Sequence, residues 1–128
     1  MPIYQVTYKN TLDAFCQVMR VPDARPYILN KDAVLGAIAR PYHTFAGENL
    51  YPTLHEKAGA LLSGVANAHG FSDGNKRTAV LLTLGMIRKS GYNLDRTALK
   101  KLDDVVVDVV TGERSEVSVA IWFHIVTD

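Results

Sequence analysis

AHGFSDGNKRTAVLLTLGMIRK, residues 68–89, holds two different kinds of sequence end to end. Residues Ala79 to Ile87 form an apolar run broken only by Thr83 and Gly85. A run that wide leaves a helix no solvent face, so the reading predicts a buried helix at the centre of the domain. The nine residues before it, His69 to Arg77, are mostly polar and glycine-rich. A polar loop feeding a helix aims backbone N–H groups, and the positive end of the helix dipole, at whatever lies in front of it. Lys76 and Arg77 add two cations in the first turn, which is unfavourable unless an anion answers them. The stretch reads as a phosphate-binding loop with a histidine at its mouth.

Each residue of the loop has a chemical use. Gly70 and Gly74 permit positive φ and close approach of backbone to a ligand. Asp73 is an oxygen donor of the kind Mg²⁺ takes beside substrate phosphates. Ser72 and Asp73 are also ordinary helix N-cap residues. His69 is suited to accept a proton from a hydroxyl near neutral pH. Phe71 reads as a core anchor that fixes the loop. The loop is not a Walker A, because the glycine spacing that motif needs is absent.

His69-x-Phe71-x-Asp73-Gly74-Asn75-Lys76-Arg77 resembles the signature of the Fic/Doc family, and within it the Doc, or death-on-curing, toxin branch. In the wider Fic pattern glycine stands at the place of Lys76 and a further arginine at the place of Val80; both departures here match the Doc branch. Gly70 stands where proline is common. Ala37–Pro41, Tyr51–Ala58, Ser90–Tyr92 and Thr111–Glu113 also read like family segments, so the resemblance runs from about Asp32 to the C-terminus.

The whole chain sets bounds on this. At 128 residues it is expected to form one domain, 1–128. With 48% hydrophobic residues it can bury a core. A net charge of +1 gives no general reason for nucleic-acid or membrane binding. The single cysteine, Cys16, excludes an internal disulfide, suits a reducing cytoplasm and reads as core packing among Leu12, Phe15, Val18 and Met19. There is no signal-peptide pattern, no membrane-length apolar run and no repeat.

Along the chain, Leu12, Phe15, Cys16 and Met19 predict a helix over 11–19. Tyr4, Val6 and Tyr8 alternate as in a strand. Val21–Leu29, with Pro22 and Pro26, reads as loop. Asn30 caps a short helix, Lys31–Ala39, ended by Pro41. Pro41–Pro52, with Tyr42, Phe45 and Tyr51, is a loop that the resemblance makes a flap for docking a protein substrate; otherwise its aromatics cover the core. Thr53 caps the next helix and Glu56 completes a capping box, with Leu54, Ala58, Leu61, Leu62, Val65 and Ala66 inward. His55 reads as surface or satisfied packing, and the four histidines show no close metal spacing. Gly91 ends the central helix; Asp95 or Thr97 starts another, broken by Gly112, with Leu99, Leu102, Val105, Val106, Val109 and Val110 at helical spacing, although the valines also alternate as in a strand. Ser115 caps a last one, Glu116–Val126, with Val119, Trp122, Phe123 and Val126 inward. The expected fold is all-α, a Fic-type bundle of about six helices around a buried central helix.

The resemblance implies a toxin that transfers the γ-phosphoryl of ATP to a threonine or serine hydroxyl of a protein, elongation factor Tu being the branch's target. His69, Lys76 and Arg77 would be the catalytic residues. Ser72, Gly74, Asn75, Lys76 and Arg77 would hold the nucleotide, and Asp73 would hold Mg²⁺. The alternatives are AMP transfer, as wider Fic relatives perform, or a silent partner in promoter autoregulation. An antitoxin protein is the implied regulator: Val80 removes the arginine that inhibitory helices pair with in some relatives, so control is expected in trans. Direct nucleic-acid or membrane contact is not expected.

Overall fold

The computed structural model describes residues 2–128. The chain is helical, with one minimal hairpin. Helices are α1 (Tyr8–Met19), α2 (Lys31–Ala39), α3 (Leu54–Asn67), α4 (Asn75–Lys89), α5 (Arg96–Thr111) and α6 (Glu116–Val126). Strands β1 (Thr44–Phe45) and β2 (Glu48–Asn49) pair antiparallel between α2 and α3. The six expected helices all form.

Local chemistry sets most of the boundaries. Asn30, Thr53, Asp95 and Ser115 each accept a backbone N–H from the third residue on, so α2, α3, α5 and α6 start where a side-chain oxygen satisfies an otherwise open donor. Each such cap stabilises its helix by about 0.5–2 kcal/mol. The expected capping box at α3 is incomplete: Glu56 accepts from the Thr53 hydroxyl at 3.0 Å instead of returning to the Thr53 backbone N–H. The reciprocal box occurs at α1, between Thr7 and Asn10. Helix α4 ends in a Schellman arrangement, with Gly91 N–H donating to Arg88 and Tyr92 N–H to Ile87, and Gly91 at φ 93°.

Residues 2–7 do not form the strand that their alternation allowed. No partner strand lies beside them, and side chains satisfy the backbone instead: Tyr4 N–H donates to Ser90 Oγ and Val6 N–H to the Tyr42 hydroxyl. Helix α2 does end at Ala39, ahead of Pro41, as expected. The chain then tightens into a 3₁₀ turn over Arg40–Tyr42, and a second such turn, Arg25–Tyr27, lies in the proline-bearing loop. Both turns hold a proline early, where its missing N–H has no partner to lose.

Helix α4 is buried as expected: from Thr78 to Ile87 no residue is exposed. Helix α3 shares the centre with it. All six of its expected inward residues are buried, and so are Lys57, Gly59 and Ala60. A Cβ at Gly59 would lie 3.3 Å from the Glu116 carbonyl, so the glycine lets α6 close on α3. Two apolar clusters result. The larger joins α3, α4, α5 and α6. The smaller, built on Phe15, Ala24, Val34 and Phe71, lies beneath the polar loop, and the partly buried Cys16 packs against it.

Candidate functional site

The loop between α3 and α4 is fixed from below. Phe71 is 2% exposed and stacks on Phe15, with ring centroids 4.3 Å apart and planes 18° from parallel. Full burial of such a ring is worth about 1.5–3 kcal/mol, which ties the loop to α1. The backbone is tied as well. The Gly70 carbonyl accepts from Leu29 N–H at 2.8 Å and from Asn30 N–H at 3.2 Å, and Ser72 N–H donates to the Tyr27 carbonyl at 2.9 Å. The segment 27–30 is therefore a strap across the loop, and the residue that caps α2 also holds the candidate site.

Asn75 closes the loop from the other side. Its Oδ1 accepts the Phe71 N–H at 3.1 Å, and its Nδ2 donates to the Phe71 carbonyl at 2.9 Å. Both ends of the side chain are thus committed to the backbone. What Asn75 can offer a ligand is its own N–H.

Conformational strain sits on a different residue from the one expected. Gly70 has no positive φ; His69 does, at 51°. Histidine takes the left-handed position that commonly ends a helix on glycine, at a cost of about 1–2 kcal/mol. Such strain, held by surrounding structure, collects at functional sites. Gly70 is required for another reason: a Cβ there would collide with Cγ2 of Val34 on α2. Gly74 does adopt a positive φ, 76°, and a Cβ on it would press on the Met19 side chain.

Neither Ser72 nor Asp73 caps α4. The N-cap is Gly74, without a side-chain cap. The first intrahelical bond of α4 runs from Thr78 N–H to the Gly74 carbonyl, so the N–H groups of Asn75, Lys76 and Arg77 have no partner among the described residues. Asp73 spends Oδ1 on the Gly74 N–H at 2.7 Å, leaving Oδ2 open. His69, Ser72, Asp73, Lys76 and Arg77 are all exposed. Neither Lys76 nor Arg77 has a carboxylate partner within ion-pair distance among the described residues. The loop thus presents three open donors, two free cations, one open carboxylate oxygen and one imidazole.

The donor set suits Mg²⁺ better than a metal caged by protein. Among the described residues no group of three or more His, Cys, Asp or Glu side chains is placed to bind one ion. Mg²⁺ characteristically takes one or two carboxylates and fills its remaining positions with water and phosphate oxygens. Asp73 would be that carboxylate.

A well-formed concavity lies elsewhere. A groove of about 630 Å³ runs between the Leu50–Tyr51 arm of the hairpin, the start of α3 and the outer face of α6. His55 and His124 meet there edge to face, with centroids 4.6 Å apart. The reading of His55 as packing is thus specific: its partner is the histidine of α6. Folding creates this pairing between residues distant in sequence, which the spacing of the histidines does not reveal. Burial, and then the neighbouring His124, lower the His55 pKa. Lys57, which sequence reasoning passed over, is buried beside the hairpin. Nothing in its spacing marks it, since it interrupts an apolar helix face as any surface lysine would.

The comparisons with known proteins agree with the loop. A model described as the Fic/DOC family matches residues 3–87, about two thirds of the chain. The match takes in α1, which the resemblance did not reach, and stops inside α4. A relative named Toxin Doc, from Mycolicibacterium smegmatis, is 36% identical over 78 residues, covering 60% of this chain and 60% of that protein. The chain belongs to the Fic/DOC family.

Proposed function

From that membership we propose that this protein is a toxin that transfers the γ-phosphoryl of ATP to a hydroxyl of a protein target. The observation that carries the reading is the start of α4. Its three open N–H groups and the unpaired Lys76 and Arg77 form a preset receptor for a phosphoryl whose charge spreads in the transition state. In the reaction the target oxygen attacks the γ-phosphorus, the bond to the β-phosphate oxygen breaks, and ADP departs. His69 takes the hydroxyl proton. Ser72 and the N–H groups of Asn75, Lys76 and Arg77 hold the phosphoryl, Gly74 supplies the left-handed turn that presents them, and both cations offset its charge. Asp73 would hold Mg²⁺, which when bound supplies charge neutralisation for the phosphates.

Lys76 supports phosphoryl over AMP transfer. It puts a charged side chain where the AMP-transferring relatives leave a glycine's room for an α-phosphate with two phosphates behind it. Val80 leaves those trailing phosphates without an arginine. Elongation factor Tu is the proposed target, a separate antitoxin protein the proposed regulator and the cytoplasm the proposed location; no helix among the described residues is long and apolar enough to cross a membrane. Intact-mass measurement on elongation factor Tu, after incubation with ATP, Mg²⁺ and this protein, tests the reading. The target should gain one phosphate. His69→Ala should cut the rate by about 10²–10⁴, as for loss of a general base, and abolish growth arrest on expression. An adduct of AMP mass would replace the kinase reading with the AMP-transfer one; an undiminished His69→Ala enzyme would remove the base.

A further inference from the structure

We infer that Lys57 is a positioning residue: its ammonium ties both ends of the β1–β2 hairpin to α3 and so sets where the hairpin stands relative to the body of the domain.

Lys57 is 6% exposed, on the buried face of α3 that also carries Leu54, Ala58 and Leu61. Lysine is almost never fully buried unless paired, and no carboxylate lies within ion-pair distance of it among the described residues. Its partners are two backbone carbonyls, Pro41 at 3.2 Å and Tyr51 at 2.5 Å. These are the two feet of the hairpin. Its Nζ also lies 5.6 Å from the centre of the Tyr42 ring. Between the feet, residues 43–50 are exposed without exception, including Phe45 at 75%. Apart from the strand pairing, the hairpin's backbone is closed by Leu50 N–H to His43 and His43 N–H to Arg40.

Space-filling does not call for a lysine here. A methionine has nearly the same shape and none of the cost of burying charge. Geometry does call for it: only a donor with several hydrogens on a long stem reaches both carbonyls at once. A second tie acts at Arg40, one residue outside the Pro41 foot. Arg40 and Glu116 form a two-pronged ion pair at 2.5 and 2.9 Å, and the Arg40 guanidinium lies 5.3 Å from the Tyr51 ring centre. Burial lowers the Lys57 pKa, in keeping with an ammonium that meets only neutral acceptors. The link from hairpin position to substrate docking rests on the proposed transfer reading; the tie itself does not.

Amide hydrogen exchange on the full chain, wild type against Lys57→Met and Lys57→Gln, tests it. In Lys57→Met the amides of the hairpin, Leu50 and His43 above all, should exchange at least about tenfold faster, while α4 amides keep their protection. Lys57→Gln, with shorter reach, should fall between. In the transfer assay KM for the protein target should rise with kcat and ATP affinity retained. Unchanged hairpin exchange would overturn the assignment. So would loss of protection throughout the core in both variants, because Lys57 would then support the whole fold. A faster hairpin with unchanged KM would overturn the positioning role. If the wild-type chain transfers nothing, exchange alone decides, so failure of the pin and failure of the transfer reading are told apart.

Discussion

The two irregular segments on either side of α3 are built in opposite ways. The loop 69–77 is held along its length: an aromatic ring is buried beneath it, the 27–30 strap crosses it, and Asn75 is bonded twice to Phe71. The hairpin 43–50 has no buried residue and is held at its feet, by Lys57 and by the Arg40–Glu116 pair beside them. The difference fits what the proposed function asks of each. A phosphoryl receptor works by being preset, because donors that reorganise during the reaction lose their advantage. A segment that meets a protein surface gains from adjustable contacts, provided its base is fixed. Rigidity in this molecule is therefore a property of residues below and beside the chemistry.

The largest effect should come from breaking the rigid side. Asn75→Ala leaves the Phe71 N–H and carbonyl without their partner in a half-buried place. Leaving a buried polar group unsatisfied costs about 1–3 kcal/mol, so the melting temperature should fall and transfer should fall further still. Thermal melts paired with activity check this. Full activity in the alanine variant would show that the Phe71 stack and the strap suffice, and the contrast between the two segments would lose its main support.

Breaking the other side should cost less. Glu116→Gln removes one charge from a pair whose side chains are 39% and 25% exposed, so the loss should stay near 1 kcal/mol. Its consequence should be local: faster exchange at the hairpin, unchanged ATP affinity. An equal loss of protection at 69–77 would mean the two segments are coupled, contrary to their construction.

What could be read from the chain follows the same division. Helix starts were legible because caps act over three residues: Asn30, Thr53 and Ser115 all sit where their side chains predict. The buried run of α4 was legible because periodicity is local. Phe71 could be read as an anchor, because a lone aromatic in a polar loop has few other uses. The strain on His69 could not be read. A left-handed φ at a histidine leaves no mark in the local sequence, and the need for glycine at 70 comes from Val34, a distant residue on α2. Nor could the commitment of the Asn75 side chain to Phe71, since asparagine at a helix start looks equally like a ligand. Lys57 and the meeting of His55 with His124 are products of packing among α3, α6 and the hairpin, and no single stretch encodes them.

That last pair gives the smallest effect, and the one with a pH signature. The His55 pKa is lowered, first by burial and then by His124. The neutral form is therefore the one the folded state favours. Its stabilisation is fully present above the unfolded histidine value of about 6.5 and is lost as pH falls from there towards the lower folded value. Protonation places a charge in an apolar groove and against a second imidazole, while Glu56 offsets part of it. Around the pair, Glu116 is occupied by Arg40 and the Lys57 ammonium is turned to the hairpin carbonyls, so neither answers the new charge. Melting followed from pH 7.5 to 5.5 should show a modest decline in the wild type and a shallower one in His124→Gln, whose stability at pH 7.5 should lie within about 0.5 kcal/mol of wild type as for most surface changes. The decline should register at the hairpin before the loop, because Leu50 and Tyr51 line the same groove and residues 69–77 do not. Identical pH profiles in the two proteins would show that the histidine contact contributes nothing to folding.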